Sequence, residues 1–270
     1  MSVSSDSAEQ VMKIMLEGEE ICLKATGKAA IEILKYVAVF LKSHQQTQGK
    51  TKLINLVKSG KQLDFFGVKK EDLPKLEELL NICFAHDPLY ETLIPDPDVR
   101  KRLMPELFHC DMDEFYETCE IFADSEELNS VLVVSDETES YNLFHFLLTE
   151  AKATLQNDIY LIKEDPSFHT FYNFIKGGDY LNSSWTQQLH QTKRLHIIYL
   201  AVHPRMQHHG MAAMLMDEAI RYAQEHGMMI SLETHNEKNL EFYKKFQFKE
   251  YGILKKNFNL KQYCLIREYQ

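Results

Sequence analysis

Apolar positions change period several times along the 270 residues, and each change predicts an element. Ser7 followed by Gln10 can cap a helix on which Val11, Ile14, Met15 and Ile21 recur near helical spacing, although Gly18 weakens it. After Gly27, the residues Ala29, Ala30, Ile33, Leu34, Val37, Ala38, Phe40 and Leu41 lay a broad apolar stripe along a second helix, which needs a surface to pack on. A polar loop, a short helix near 52–57 and a stop at Gly60 complete a small helical region over residues 1–62. From Leu63 to Gln270 strands and helices alternate. LDFFGV predicts a strand, 71–84 a helix, 95–98 a Pro-rich turn, 99–107 and 114–120 two helices, 121–123 and 130–135 two strands, and 141–155 a helix. Residues 156–190 give few boundaries. Leu195, Ile197, Ile198, Tyr199, Leu200, Ala201 and Val202 then form the near-continuous apolar run of a central buried strand, ended by Pro204. A polar turn RMQHHG leads into a helix over 211–225, a strand over 228–234, a helix over 237–246 and strands over 249–254 and 263–267. The fold class is α/β (α+β), a mixed sheet flanked by helices.

Composition narrows the setting. With 44% hydrophobic and 26% charged residues, low-complexity and disordered classes are excluded. No run approaches the roughly 18 apolar residues of a membrane span, and the first ten residues have neither the basic start nor the apolar core of a secretion signal. A cytoplasmic location without membrane association is therefore expected. Cys22, Cys83, Cys110, Cys119 and Cys264 are widely spaced and form no CxxC pair, so they read as small buried hydrophobes.

The net charge of −10 is uneven. Residues 1–66 carry nine Lys/Arg and seven Asp/Glu, whereas 111–140 alone hold eleven acidic residues. That break marks a domain boundary near residue 63. The acidic part repels nucleic acid, and its carboxylates read either as a solvated face or as a rim attractive to a cationic amine.

A strand, a turn with Gly210 and a helix start suit an anion, because the first helical N–H groups lack internal partners. His208 and His209 add polar groups to that turn, while His203, His208 and His209 lack a fourth ligand or metal spacing, so no metal is assigned. At this point the chain resembles the GCN5-related N-acetyltransferase (GNAT) superfamily. Leu200, Val202 and Pro204 followed by Gln207, His208, His209, Gly210, Met211 and Ala212 look like its acyl-CoA motif. Asn236, Asn239, Phe242, Tyr243, Lys244, Phe246 and Phe248 resemble its late Asn-containing helix and aromatic strand. The likeness spans roughly 64–270.

The resemblance implies a splayed sheet, with acetyl-CoA as cosubstrate. Main-chain N–H groups over 207–212 would cradle the pyrophosphate, and Leu200, Ala201 and Val202 would lie along the pantetheine arm. Asn236 and Asn239 would also contact the cofactor, Tyr243 would protonate or hydrogen-bond the departing sulfur, or else only shape the core, and the Val202 amide would polarise the thioester carbonyl. Ala213 stands where a hydroxyl is frequent, and Gln247 where a Gly usually precedes Phe248. For the base that deprotonates the acceptor, Glu233 leads over His203, Glu120 and Asp124. Tyr199, Tyr222, Phe171, Tyr172, Phe174, Tyr180 and Trp185 read as core anchors or as an aromatic acceptor pocket.

The first sixty residues resemble small accessory proteins of conjugative mobile elements, on Leu16-Glu17-Gly18, Gly27-Lys28-Ala29-Ala30, Gly49-Lys50-Thr51-Lys52 and Ser59-Gly60-Lys61. That implies a protein partner docking on the N-terminal helices. The expected activity is direct acetyl transfer from acetyl-CoA to an amine of a small molecule or peptide. The rival expectation is a catalytically inactive CoA-binding or conjugation-associated interaction protein.

Overall fold

A computed structural model describes residues 9–16, 19–26, 66–138, 143–189, 191 and 193–269. Strands β1 (Glu9–Leu16) and β2 (Glu19–Thr26) pair antiparallel as a separate two-stranded sheet, so the helix expected from Ser7 is corrected to a hairpin. The register sets Met12 opposite Leu23 and Ile14 opposite Ile21, a period of two that the helical reading passed over. Only Glu17 and Gly18 separate the strands in sequence, and a two-residue connection with Gly is a hairpin signal. The second expected helix and the short one near 52–57 lie outside the described residues.

The main sheet begins with β3 (Phe66–Gly67) and is followed by α1 (Leu73–Phe84), α2 (Pro88–Leu93) and α3 (Pro97–Thr118). Pro opens each of the last two, with Asp87 accepting from the Leu89 N–H and Asp96 from those of Asp98 and Val99. The two helices expected over 99–107 and 114–120 are one, because α3 continues through Pro105. The single N–H that Pro lacks is outweighed by buried Leu103, Met104, Leu107, Phe108 and Met112 on either side of it.

Next come β4 (Glu120–Ala123), β5 (Ser130–Asp136), α4 (Leu143–Glu164), α5 (His169–Gly177) and β6 (Arg194–Val202). The chain finishes with α6 (Met211–His226), β7 (Met229–Thr234), α7 (Leu240–Lys245), β8 (Lys249–Leu254) and β9 (Gln262–Arg267). Strand order is β3-β4-β5-β6-β7-β9-β8, and among these pairs only β6–β7 is parallel, joined through α6. Helices cover both faces. Val131, Val133 and Ala201 pack with α1, α2 and α3, while Leu132, Val134, Leu195 and Ile197 pack with Leu215, Met216 and Ala219 of α6. Among the described residues no helix is long and apolar enough to cross a membrane.

Candidate active site

A one-residue slip in β6 organises the site. Val133 pairs with Tyr199 and Val134 with Ile197, which leaves Ile198 as the extra residue of a bulge. On its N-terminal side the Arg194 carbonyl faces β5, accepting from the Glu137 N–H, and the Lys193 carbonyl faces β7, accepting from the Met229 N–H. On its C-terminal side the His203 N–H donates to the Asn129 carbonyl on the β5 side, so by strand alternation Leu200 and Val202 turn their main-chain groups to the other edge. Ala201, expected along the cofactor, turns its own toward β5, where it pairs with Val131. The bulge also places the consecutive side chains of Ile198 and Tyr199 against the same cluster.

That other edge is left unpaired by β7. Pairing of β6 with β7 runs from Arg194↔Met229 to Ile197↔Leu232 and stops, although β6 continues to Val202 and β7 to Thr234. Two nearly parallel strands thus part company and leave main-chain donors along the gap. The Val202 carbonyl is taken by Gln207 Nε2 at 3.2 Å and Cys83 Sγ at 3.3 Å. Burial pushes the Cys83 thiol up to about 11, so it is protonated and serves as a donor here.

Beyond Val202 the chain makes a short turn at Pro204–Met206 and reaches Gly210, which has φ +85 and opens α6 without a side-chain cap. A Cβ at Gly210 would meet nothing within 4 Å, so the space over the turn is free. Gln207, His208, His209 and Gly210 are exposed, and Met211 and Ala212 partly so. The Gln207 side chain folds back on Val202, leaving its main chain for any anion, and His209 Nδ1 donates to the Gln207 carbonyl at 2.8 Å. His203 Nδ1 accepts from the Arg205 N–H at 3.2 Å, which ties that candidate base into the turn. The uncapped amides and open cradle suit a pyrophosphate.

Tyr243 lies in the cluster beneath α6, 8% exposed, edge-on to Phe242 and Phe248. None of the hydrogen bonds among the described residues engages its hydroxyl. Burial, and then the Asp87 carboxylate, push its ionisation well above the ordinary value of 10, so it stays a donor near neutral pH. Asn236 caps the turn after β7 by accepting from the Lys238 N–H, and Asn239 Nδ2 donates to Thr234 Oγ1 at 3.3 Å. Both shape that turn.

Glu233 sits at the root of the gap, at the last paired positions of β7. Ser183 Oγ donates to its Oε1 at 2.5 Å, Trp185 Nε1 to its Oε2 at 3.0 Å, and His196 Nε2 lies 3.4 Å away. Burial works to raise its ionisation, but His196, Ser183 and Trp185 outweigh it and hold the carboxyl below the ordinary 4.5. His196 also meets Ser183 Oγ and Ser231 Oγ, each at 2.8 Å. The sequence reading missed Ser183, His196 and Ser231. A lone polar residue in the apolar run of β6 was the available signal for His196. The other candidate base Asp124 is occupied with the Ser130 N–H at 2.6 Å, closing the β4–β5 turn, and Glu120 opens β4 opposite Val134.

Of the aromatics, Tyr199 lies between Phe84, Phe108 and Phe115, and its hydroxyl donates to Asp111 at 2.6 Å. Tyr222 is far from the gap, donating to Asp136 at 2.9 Å beside the opposite end of β6. Phe171 and Phe174 pack on the core, Tyr172 is exposed, and Tyr180 and Trp185 are buried.

A mixed sheet whose central parallel pair parts beside a helix start is the architecture of a CoA-dependent acyltransferase. The model of the acetyltransferase (GNAT) family matches residues 105–248, and the chain belongs to that family, whose general activity is acetyl-CoA-dependent acyl transfer. Among solved structures, a histone acetyltransferase HPA2 and related acetyltransferase from Corynebacterium glutamicum is 14% identical with a TM-score of 0.50, covering 83% of this chain and 98% of its own. An arylalkylamine N-acetyltransferase 2 from Aedes aegypti is 12% identical with a TM-score of 0.45, covering 76% of this chain and 98% of its own. The ribosomal-protein-S18-alanine N-acetyltransferase of Escherichia coli is 11% identical with a TM-score of 0.43, covering 76% and 92%. At such identities the likeness is one of fold. No curated protein matches the chain. The resemblance of the first sixty residues to conjugative-element proteins finds no support in these comparisons, and the hairpin at 9–26 removes the helix on which part of it rested.

Proposed function

We propose that this chain is an N-acetyltransferase that moves the acetyl group of acetyl-CoA directly to an amine. The parting of β6 from β7 beyond Ile197 and Leu232 carries the reading, because it frees a strand edge next to an uncapped helix start. Residues 207–212 hold the pyrophosphate through main-chain N–H groups, and the Leu200 and Val202 edge receives the pantetheine arm and polarises the thioester carbonyl. Asn236 and Asn239 hold the turn beside it. Tyr243 donates its proton to the departing sulfur. Glu233, kept ionised at the root of the gap, draws the acceptor ammonium and takes its proton. The acceptor is a cationic amine, consistent with the eleven acidic residues over 111–140. Residues 63–270 form the catalytic domain, and the first 62 residues a separate appendage that meets a protein partner.

Calorimetry with acetyl-CoA and CoA, followed by thiol release across amines and peptides, tests this. Tyr243→Phe should lower kcat about 100-fold while CoA affinity stays within about threefold. Equal kcat in the two proteins removes the acid role. CoA binding with no turnover of any acceptor favours the rival reading of a binding or assembly protein.

A further inference from the structure

The strands β5 and β6 are antiparallel neighbours, and a hairpin of a few residues would join them. Instead α4, α5 and two short 3-10 turns at 178–180 and 184–189 intervene. This inserted segment is fastened at three places around the gap. At α2, Asn173 Nδ2 donates to the Leu93 carbonyl at 3.1 Å, and Gly177 approaches so closely that a Cβ there would stand 2.5 Å from Leu93 Cδ2. At the β8–β9 loop, Asn257 Nδ2 donates to the Lys176 carbonyl at 2.6 Å, the Lys256 N–H to Tyr180 Oη at 2.5 Å, and Lys256 Nζ pairs with Asp179 at 2.9 Å. At the root of the gap, Ser183 and Trp185 meet Glu233, and the Trp185 ring lies against Tyr251 of β8 with centroids 5.7 Å apart.

The two faces of the sheet divide the chemistry. Ile230 and Leu232 join the cluster under α6 together with Tyr243, so Ser231 and Glu233, alternating with them, face the opposite side. An amine that reaches the thioester from the Glu233 side meets the inserted segment, whose ties run from α2 to the β8–β9 loop. A polypeptide acceptor needs an unobstructed path through which its chain continues on both sides of the reacting amine. A compact amine needs only the space beside Glu233.

We propose that the later part of the inserted segment, residues 169–189, anchored on Glu233 by Ser183 and Trp185, is the acceptor-site wall and selects compact amines over polypeptide chains. This rests on the acetyltransferase reading above. Ser183 and Trp185 are positioning residues, acting through Glu233, whose other neighbours are His196 on β6, His235 just beyond β7 and Cys264 on β9.

The full chain is assayed by thiol release with acetyl-CoA, setting small mono-, di- and arylalkylamines against peptides bearing a lysine or a free N-terminus. A small amine should exceed every peptide by about 100-fold in kcat/KM. Trp185→Phe, which keeps a ring against Tyr251 but removes the N–H, and Ser183→Ala should each raise the amine KM about tenfold and leave the acetyl-CoA KM unchanged. A merely structural role moves both KM values or neither. Peptide turnover equal to that of the best small amine overturns the proposal. Trp185 is the chain's one tryptophan, so its fluorescence reports on the site without turnover. In CoA-loaded protein small amines should change it and peptides should not, and the reverse overturns the proposal even if no acceptor reacts, an outcome that by itself would sink only the catalytic reading.

Discussion

Gly210 and Gln247 both hold left-handed backbone, and substitutions at them are expected to act in opposite directions. Gly210 has φ +85 with open space above it. Gly210→Glu therefore adds a strained backbone, bulk and a negative charge over the turn, where the cofactor's pyrophosphate is proposed to lie. Calorimetry should show CoA affinity weakened by at least about 30-fold, with the circular dichroism spectrum unchanged. Undiminished affinity would move the anion site elsewhere. Gln247 has φ +65 at the turn that closes α7. An L side chain in this region costs roughly 1 kcal/mol. Gln247→Gly should raise the melting temperature by about 2–4 °C, because the turn itself keeps its shape and only the strain is removed. A lower melting temperature would show that the Gln side chain stabilises the turn by more than its strain costs.

At the scale of elements, what the sequence makes legible depends on whether the hydrophobic period and the partner surface agree. The run Leu195 to Val202, the helix from Met211 and the strand ending at Thr234 all appear where the pattern puts them, because a buried parallel strand and an amphipathic crossover helix each state their period strongly. Glu9 to Thr26 fails as a helix because its apolar residues satisfy both periods over short windows, and pairing across Glu17 and Gly18 decides between them. Pro105 fails as a helix break because packing on both sides of it is stronger than local propensity. The site divides in the same way. The turn at Gly210 and the Tyr243 position are written in local motifs. The bulge at Ile198 is set by which strand lies alongside, so no residue type announces it, yet it decides which main-chain groups face the gap. Ser183 and Trp185 reach Glu233 from a segment whose boundaries the pattern leaves open, across sequence separations of 50 and 48 residues. Contacts that depend on three-dimensional closure of an insertion leave no periodic trace.

For the whole molecule, the net charge of −10 matters most where carboxyls are packed between helices. Burial, followed by the nearby charges of Asp111 and Glu150, pushes Glu114 up to about 8, and burial alone takes Glu150 to about 7. Burial also raises Asp111 to about 6, against the hydrogen bond from Tyr199 that lowers it. In the unfolded chain these groups ionise near the ordinary 3.8 to 4.5. Between those values and pH 8 the folded protein therefore holds more protons than the unfolded one, and its stability falls as pH rises. His235, which burial lowers to about 4 from 6.5, works the other way, costing stability as pH falls below 6.5. The window from pH 6.5 to 8.5 isolates the carboxyls, with Glu114 as the largest contributor. The wild-type melting temperature should decline across that window. Glu114→Gln, which keeps the shape and polarity but cannot ionise, should flatten the decline, so that its margin over the wild type is already present at pH 6.5 and grows by about 4 °C towards pH 8.5. Parallel profiles for the two proteins would mean that Glu114 is solvated well enough to ionise at no cost to the fold, and that the acidic stretch of α3 behaves as an ordinary surface.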